Sequence, residues 1–151
     1  MAPEFGELRE GDLLLRLASA EPHEIHKALS YRFLMIHAVT GEELGALNLR
    51  VGSTPHLERY AGHIGYTVYA DYRGHHYAAR AVRLLAPVAR KLGLETVWIT
   101  CDPGNTASRR TLEIAGATFV EVVDVPADCI IHQSGHPKKC RYRLDVSGQG
   151  S

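Results

Sequence analysis

Apolar and polar positions alternate with a period of two through much of the first half of the chain, a pattern typical of half-buried β-strands. Leu13, Leu15 and Leu17 are one example. A turn sequence, Thr-Gly-Glu-Glu at 40–43, separates two apolar runs and predicts an antiparallel hairpin. Residues 21–30 have a helical composition but begin with Glu-Pro, so we expect at most a short helix there. The strands predicted in this half are residues 13–19, 31–39, 44–51 and 63–70.

The period changes to that of a helix between residues 74 and 92. Apolar residues recur there at spacings of three and four, which predicts a long amphipathic helix that stops at Gly93. A second helix is predicted with Asn105 or Thr106 as its N-cap and Gly116 at its end. The remaining predicted strands are residues 96–100, 118–125 and 141–146.

The order of these elements predicts an α/β fold of the α+β kind. Strand 63–70, the long helix and strand 96–100 form a strand–helix–strand unit, which requires one parallel pair in an otherwise antiparallel sheet. The chain shows no repeat and no internal linker. We therefore expect a single domain over residues 1–146, followed by a disordered polar end at 147–151.

Composition places the chain among ordinary globular proteins. Of its 151 residues 45% are hydrophobic and 23% charged, and 17 basic side chains balance 17 acidic ones. A neutral protein lacks the basic excess of a nucleic-acid or anionic-membrane binder, so neither partner is expected. No apolar stretch reaches the roughly 20 residues of a membrane span, and the first residues lack the apolar core of a signal peptide. We expect a cytoplasmic protein with reduced cysteines.

The junction between strand 63–70 and the long helix is a candidate binding site. The amides of about residues 74–78 have no carbonyl partner within the helix, and they lie at the positive end of its dipole. Such amides suit a phosphate or pyrophosphate, and the guanidinium of Arg73 would add charged donors beside them. The alternative is a solvated helix start from which Arg73 extends into water.

Three segments of the chain carry a similarity to a known family. They are residues 65–78, the run Asp-Pro-Gly-Asn-Thr-Ala-Ser-Arg-Arg at 102–110, and Gly116. These segments resemble the GNAT family of N-acetyltransferases, and the resemblance extends over about residues 11–146. It implies a mixed, mostly antiparallel twisted sheet flanked by helices, with one parallel strand pair splayed around acetyl-CoA. It also implies transfer of an acetyl group from acetyl-CoA to a primary amine, by direct attack in a ternary complex.

In this family an Arg-Gly-x-Gly-x-Gly/Ala turn binds the pyrophosphate of acetyl-CoA through its amides. Arg73, Gly74 and Ala78 match the turn, whereas His76 stands where the second Gly is usual. This is a departure because Gly allows close approach and positive φ, although the His76 amide is still available. The residues that the resemblance implies for cofactor binding are Tyr66, Val68, Arg73, Gly74, His75, His76, Tyr77, Ala78, Asn105 and Ser108.

The resemblance also implies a catalytic base and an oxyanion donor. His63 stands where many members carry a glutamate base, and a histidine suits that task at neutral pH. The alternative is a histidine that is simply hydrogen-bonded at the sheet surface, with His56 and Glu58 as replacement bases. The backbone amide of Val68 would stabilise the oxyanion that forms on the thioester.

Protonation of the departing CoA thiolate is the next expected step. Many members use a tyrosine where this chain has Leu112, so water or Ser108 takes that role. A thiol leaving group needs little help, because its pKa is only about 8.5. Arg80, Arg109 and Arg110 are candidate contacts for the nucleotide phosphates, the alternative being solvated side chains on an exposed helix face.

Two non-catalytic functions compete with acetyl transfer. Cys129, His132, His136 and Cys140 supply two thiols and two imidazoles that a tetrahedral zinc would accept, which defines a zinc-binding interaction domain; the same segment also fits a plain exposed loop. We expect the plain loop, so the predicted site contains no metal. The second competing function is a non-catalytic acyl-CoA sensor, which is favoured by His76 and Leu112 because both depart from the family pattern.

The acceptor is expected to be a small-molecule or peptide amine. Its pocket would come from loops at 21–30, 52–62 and 126–140, which the pattern defines least. The early region has room for one helical segment instead of a pair, so the acceptor side is either open or completed by the second subunit of a homodimer. Cys101 could act as a nucleophile, but direct attack by the amine needs none.

Overall fold

Two antiparallel sheets carry the fold, and the computed structural model describes the chain over residues 7–23 and 28–147. The larger sheet has five strands, each paired with the next in sequence order. Its strands are β1 (Leu8–Glu10), β2 (Leu13–His23), β3 (Ala28–His37), β4 (Glu43–Val51) and β5 (Ile64–Val68). This order leaves β5 at one edge of the sheet.

The second half of the chain supplies the smaller sheet and the helices. Its three strands, in the order β6-β8-β7, are β6 (Thr96–Cys101), β7 (Thr118–Asp124) and β8 (Lys138–Asp145). The helices are α1 (Tyr77–Lys91), α2 (Thr106–Ile114) and the short α3 (Ile130–Gln133). A π-helical turn at His56–Ala61 and a 3₁₀ turn at Ala70–Tyr72 flank β5. Within the described ranges, no helix is long and apolar enough to cross a membrane.

The core lies between the larger sheet and α1. Alternate residues of β3 and β4, such as Phe33 and Leu47, are buried in one cluster with Val82 and Leu85 of α1. Burial of each such side chain contributes about 1.5–3 kcal/mol to stability. The same cluster includes Ile99 of β6, so the two sheets share one core. The helical period predicted for this part of the chain is confirmed by α1.

A short junction joins the two sheets where β5 begins. The N–H of His63 donates to the carbonyl oxygen of Trp98 at 2.6 Å. Gly62 precedes it with a φ of 79°, and a Cβ there would lie 3.1 Å from the nitrogen of Thr100. Glycine is therefore required at this position by both φ and space. Beyond the junction β5 and β6 belong to different sheets. The parallel pair that the sequence predicts is therefore splayed apart and does not form a hydrogen-bonded ladder.

The short helix predicted within residues 21–30 is wrong where the chain is described. β2 continues to residue 23 and β3 starts at residue 28, in a register that pairs Pro22 with Leu29. Proline is tolerated because, among the described residues, β1 covers β2 only at 13–15, and the other edge of β2 is unpaired around Pro22. Residues 24–27, and the end at 148–151 that we expect to be disordered, lie outside the described ranges.

Candidate active site

A cleft of about 490 Å³ lies between β5 and α2 and reaches the start of α1. It brings together every cofactor-binding residue implied by the sequence except His75, which is exposed beside it. The predicted residues that line the cleft are Tyr66, Val68, Arg73, Gly74, His76, Tyr77, Ala78, Asn105 and Ser108. Tyr66 and Ser108, which are 42 positions apart in the sequence, thus face one another across the cleft.

The edge of β5 that faces this cleft carries unpaired backbone groups. His63 and Tyr69 hydrogen-bond to β4 at the two ends of the strand. Pairing alternates along an antiparallel ladder, so the odd-numbered residues between them also face β4, and the amides of Tyr66 and Val68 point away from it. The carbonyl oxygen of Val68 accepts from Nε of Arg73 at 3.1 Å, which agrees with this orientation. An extended polyamide can pair with such an edge as an added strand does.

The start of α1 presents a second set of unpaired donors. The first hydrogen bond of the helix runs from the N–H of Arg80 to the carbonyl oxygen of His76 at 3.0 Å, and the His76 side chain does not cap the helix. The amides of residues 77–79 therefore have no carbonyl partner within the helix. His76 has a φ of 59°, the left-handed conformation that glycine adopts most easily. His76 therefore differs in residue type from the glycine that is usual in the family, but it adopts the same left-handed backbone conformation.

Tyr66 and Ser108 form a hydroxyl pair across the cleft. The phenol oxygen of Tyr66 and Oγ of Ser108 are 2.6 Å apart. Burial raises the pKa of Tyr66 to about 12, so its proton is present at neutral pH. Asn105 positions Ser108, because its Oδ1 accepts from the Ser108 N–H at 3.0 Å. This bond confirms Asn105 as the N-cap of α2, and Asn105 also lines the cleft.

The structure does not support His63 as the catalytic base. Only 1% of its surface is exposed, and both ring nitrogens are engaged. The N–H of Trp98 donates to Nδ1 at 2.9 Å, so Nε2 must carry the proton that it donates to the carbonyl oxygen of Gly52 at 3.0 Å. Burial lowers the pKa of His63, which keeps the ring neutral. With no free lone pair, this histidine fits the structural alternative and joins the two sheets.

A second pocket of about 290 Å³ shares Tyr66, Asn105 and Ser108 with the cleft, and it holds an Asp–His pair that the sequence did not reveal. Nδ1 of His136 lies 2.8 Å from Oδ2 of Asp102, and Lys139 Nζ lies 3.4 Å from the other carboxylate oxygen. The two residues are 34 positions apart. The sequence indicates only that each residue belongs to a segment with candidate chemistry. Asp102 begins the family motif at 102–110, and His136 is one of the candidate zinc ligands.

The four candidate zinc ligands do not converge. Sγ of Cys129 lies 3.7 Å from Nδ1 of His56, His136 contacts Asp102, and Cys140 is buried in β8. Over residues 7–23 and 28–147, no group of three His, Cys, Asp or Glu side chains could hold a metal ion. The zinc-binding alternative therefore has no support in the geometry.

Cys101 does not fit the role of a nucleophile either. It is buried at the end of β6, directly opposite Cys140 in the strand register, and both thiols are free. Burial raises the pKa of Cys101 to about 11, so the thiolate is scarce at neutral pH.

Two of the three arginines considered as phosphate contacts are committed elsewhere. Arg80 pairs with Glu10 at 2.5 Å and with Asp12 at 2.6 Å. Nε of Arg109 donates to the hydroxyl of Tyr142 at 3.0 Å. None of the three arginines lines the cleft, whereas Arg73 does.

A family model described as an acetyltransferase (GNAT) domain matches residues 11–118, which include the α1 turn and the start of α2. The chain belongs to the GNAT acetyltransferase family. Comparison of this GNAT protein with curated proteins finds no significant match.

Solved GNAT structures share the fold, which confirms the predicted α+β class. One is an acetyltransferase (GNAT family) from Bacillus anthracis, with a TM-score of 0.60 and 22% identity over 76% of this chain and 66% of that one. A ribosomal-protein-S5-alanine acetyltransferase from Vibrio fischeri has a TM-score of 0.61 and 15% identity, covering 81% of this chain and 64% of that one. A ribosomal L7/L12 alpha-N-protein acetyltransferase in complex with coenzyme A has a TM-score of 0.61 and 14% identity, covering 80% and 64%. This GNAT chain thus spans about two thirds of the length of these proteins.

Acetyl-CoA is the acetyl donor of the GNAT family, and the residues of this cleft fit it. The unpaired amides at the start of α1 and the side chain of Arg73 offer donors to a pyrophosphate. The open edge of β5 offers N–H and C=O groups to a polyamide arm. Together these features match both the charged and the extended part of the cofactor.

Proposed function

We propose that this protein is an N-acetyltransferase that transfers an acetyl group from acetyl-CoA to a primary amine by direct attack in a ternary complex. The observation that carries the proposal is the single cleft between β5 and α2, which joins the unpaired α1 amides to the open strand edge. In this assignment Arg73 and the amides of residues 76–78 hold the pyrophosphate. The backbone of Tyr66 pairs with the pantetheine arm, the N–H of Val68 contacts the thioester oxygen, and Asn105 contacts the arm through its side-chain amide.

The chemistry follows from groups that line the cleft. The amine nitrogen attacks the thioester carbon, the new C–N bond forms, and the C–S bond breaks with its electron pair going to sulfur. The N–H of Val68 points away from β4 and would stabilise the oxyanion that develops in this step. Ser108 would donate the proton that the thiolate accepts, the Tyr66 hydroxyl bonded to Ser108 would replace it, and a proton from solvent would restore the phenol of Tyr66.

The acceptor would reach the thioester across the exposed face of the β2–β3 hairpin. A polar pocket of about 210 Å³ lies on this face and is lined by Ser19, Glu21, Pro22, Ser30, Arg32, Asn48 and Arg50. Arg50 also lines the second pocket, so this side chain borders both. A neighbour of the same fold is described as an alpha-N-protein acetyltransferase, which makes a peptide amine the first acceptor to test beside small amines.

A second candidate function is a non-catalytic acyl-CoA sensor. The observation that favours it is Leu112, which is fully buried and leaves no acid where many GNAT proteins have a tyrosine. A sensor would bind acetyl-CoA in the same cleft without turnover.

Thermal unfolding and thiol release separate these functions. Acetyl-CoA at about 100 times its Kd should raise the Tm by roughly 5–10 °C, since binding to the folded state then adds about 2.7 kcal/mol. Arg73→Ala should lose most of that shift, whereas Arg90→Ala, the same change at the exposed far end of α1, should keep it. Steady thiol release with an N-terminal peptide or a small amine supports the enzyme. Binding without release by any amine supports the sensor, and no Tm shift at millimolar acetyl-CoA contradicts both.

A further inference from the structure

We infer that Asp102 and His136 form the proton-accepting pair of the active site, with His136 as the catalytic base and Asp102 as the residue that positions it. This inference rests on the proposed N-acetyltransferase function. It assigns the task for which the sequence suggested His63 to a side chain from a different part of the fold.

Two loops bring the pair together. Asp102 directly follows β6, and His136 lies between α3 and β8. The α3 turn fixes this approach, because the N–H of His136 donates to the carbonyl oxygen of Ile131 at 3.2 Å and that of Gly135 donates to His132. The ring of His136 is therefore held by its backbone as well as by the carboxylate.

The hydrogen bonds define which nitrogen can accept a proton. Nδ1 of His136 lies 2.9 and 2.8 Å from the two oxygens of Asp102, which can only accept, so Nδ1 carries the hydrogen. The lone pair of the neutral ring is then on Nε2, and no residue within 7–23 and 28–147 hydrogen-bonds to that atom. His63 has the opposite arrangement, with both nitrogens engaged.

The pair faces the position where the reaction would take place. His136 and Asp102 line the second pocket together with Gly65, Tyr66 and Ser108, and the last two also line the cofactor cleft. About 41% of the His136 side chain is exposed, so an incoming amine can reach it. Neither of the replacement bases suggested by the sequence, at positions 56 and 58, lines this pocket.

The charges around the pocket favour a neutral amine. Arg50 of β4 and Lys139 of β8 face it together with Asp102, while the Cys101 thiol is buried and protonated. Two fixed cations against one carboxylate oppose the entry of an ammonium ion. Transfer of the amine proton to His136 places the new positive charge next to the carboxylate of Asp102, which stabilises it.

The amine nitrogen forms the C–N bond to the acetyl carbon and gives its excess proton to Nε2 of His136. The C–S bond breaks, and the thiolate leaves with the electron pair and is protonated on the Ser108 side of the pocket. The imidazolium of His136 then returns its proton to solvent through the open side of the pocket.

Kinetics of three variants test the inference against the wild type with the best amine from the thiol-release panel. His136→Gln should lower kcat by about 10²–10³, within the range of a lost general base, and should remove the acid limb of the kcat/KM pH profile. Asp102→Asn should lower kcat and displace that limb, a change in pH profile that a merely structural bond would not cause. His132→Gln, a matched change in α3 that does not line the pocket, should behave as the wild type. All variants should keep the Tm shift with acetyl-CoA.

Chemical rescue gives an independent readout. His136→Ala should recover part of its lost turnover when imidazole is added, while Asp102→Asn should not. A wild-type protein that turns over no amine overturns the proposed function and this role with it. An active wild type with an unchanged rate and pH profile in His136→Gln overturns the pair alone. Loss of turnover together with the acetyl-CoA shift in His136→Gln shows a structural role and also overturns it.

Discussion

The backbone N–H of Trp98 donates a hydrogen bond to Nδ1 of His63 across 2.9 Å, and the N–H of His63 donates in return to the carbonyl oxygen of Trp98 at 2.6 Å. This double contact ties the first residue before β5 to the middle of β6. It holds the two sheets together on one side of the cleft while the strands separate on the other. The buried imidazole is therefore a part of the frame on which the cleft is built.

Protonation of His63 should weaken the fold, because a proton on Nδ1 would face the N–H of Trp98. Burial lowers the pKa of His63 in the folded protein, so below about pH 6.5 the unfolded chain binds more protons. His63 makes its full contribution to the free energy of unfolding above about pH 6.5, and this contribution is lost as the pH falls through the lowered native pKa. Its slope reaches at most about 1.4 kcal/mol per pH unit, measurable by urea unfolding between pH 5 and 7.

Replacement of His63 isolates this effect. His63→Gln should be less stable than the wild type at pH 7, but its free energy of unfolding should lose the one-proton slope below pH 6.5. His132→Gln, which alters a partly exposed histidine, should keep that slope. An unchanged slope in His63→Gln contradicts the assignment.

The cofactor cleft was predictable from the sequence because its determinants are local. A strand, a glycine turn and the start of a helix follow one another within residues 63–78, and the family motif gives their relative placement. The N-cap role of Asn105 also depends on one turn of helix, and its bond to the Ser108 N–H confirms it. The strand that replaces the predicted helix at 21–23 depends instead on pairing with β3, which helical composition does not report.

His76→Gly should stabilise the protein slightly and tighten acetyl-CoA binding. His76 holds a φ of 59°, which costs a non-glycine residue about 1–2 kcal/mol, and glycine removes that cost while it loses about 0.5–1 kcal/mol of chain entropy. The net gain of up to about 1.5 kcal/mol corresponds to a Tm increase of at most roughly 3–6 °C. Calorimetry gives the Tm, and titration with acetyl-CoA gives the Kd.

The neighbouring histidine provides the matched control for the turn. His75 is not among the residues with positive φ in the described chain, and it lies outside the cleft. His75→Gly should therefore lower the Tm and leave the Kd for acetyl-CoA nearly unchanged. If the two glycine variants behave alike, the left-handed conformation of His76 is not what sets the turn.

Ser108→Ala should lower kcat by roughly tenfold, less than the range typical of general acids, because a CoA thiolate needs little help to leave. Tyr66→Phe should give a similar loss, and the double variant should be no slower than either single one, since the two hydroxyls are 2.6 Å apart and act in series. Thr106→Ala, which removes a hydroxyl from the same helix outside the cleft, should have no effect. Additive losses in the double variant would exclude a shared proton route.

The Asp102–His136 pair could not be predicted from the sequence. Its members are 34 residues apart, and their distance is set by the strand register that places β8 beside β6 and β7. Spacing along the chain instead grouped His136 with Cys129 and Cys140. The fold separates those residues, since Cys140 turns into the core while His136 faces the pocket.

Arg80→Ala should lower stability without weakening acetyl-CoA binding. The guanidinium of Arg80 bonds to Glu10 and Asp12 and lies 5.1 Å from the centre of the Tyr77 ring, so it ties the turn between β1 and β2 to α1. Its loss should lower the Tm by roughly 2–4 °C at pH 7, by analogy with other single-contact deletions in chains of this size. The Kd for acetyl-CoA should match the wild type, in contrast to Arg73→Ala.

The pH dependence of this difference follows from Asp12. Its hydrogen bond to Arg80 is the largest cause that lowers the pKa of Asp12, so the stability it contributes is present above about pH 3.8 and is lost as the pH falls through the lowered native value. The gap in Tm between wild type and Arg80→Ala should therefore be constant from pH 7 to 5 and should narrow below pH 4. A gap that keeps its full size as the pH falls below 3.8 would show that Arg80 acts through its packing on Tyr77 and not through the carboxylate. An Arg80→Ala protein with the wild-type Tm and a weakened Kd would show instead that Arg80 binds the phosphates of acetyl-CoA and that its ion pairs with Glu10 and Asp12 do not stabilise the fold.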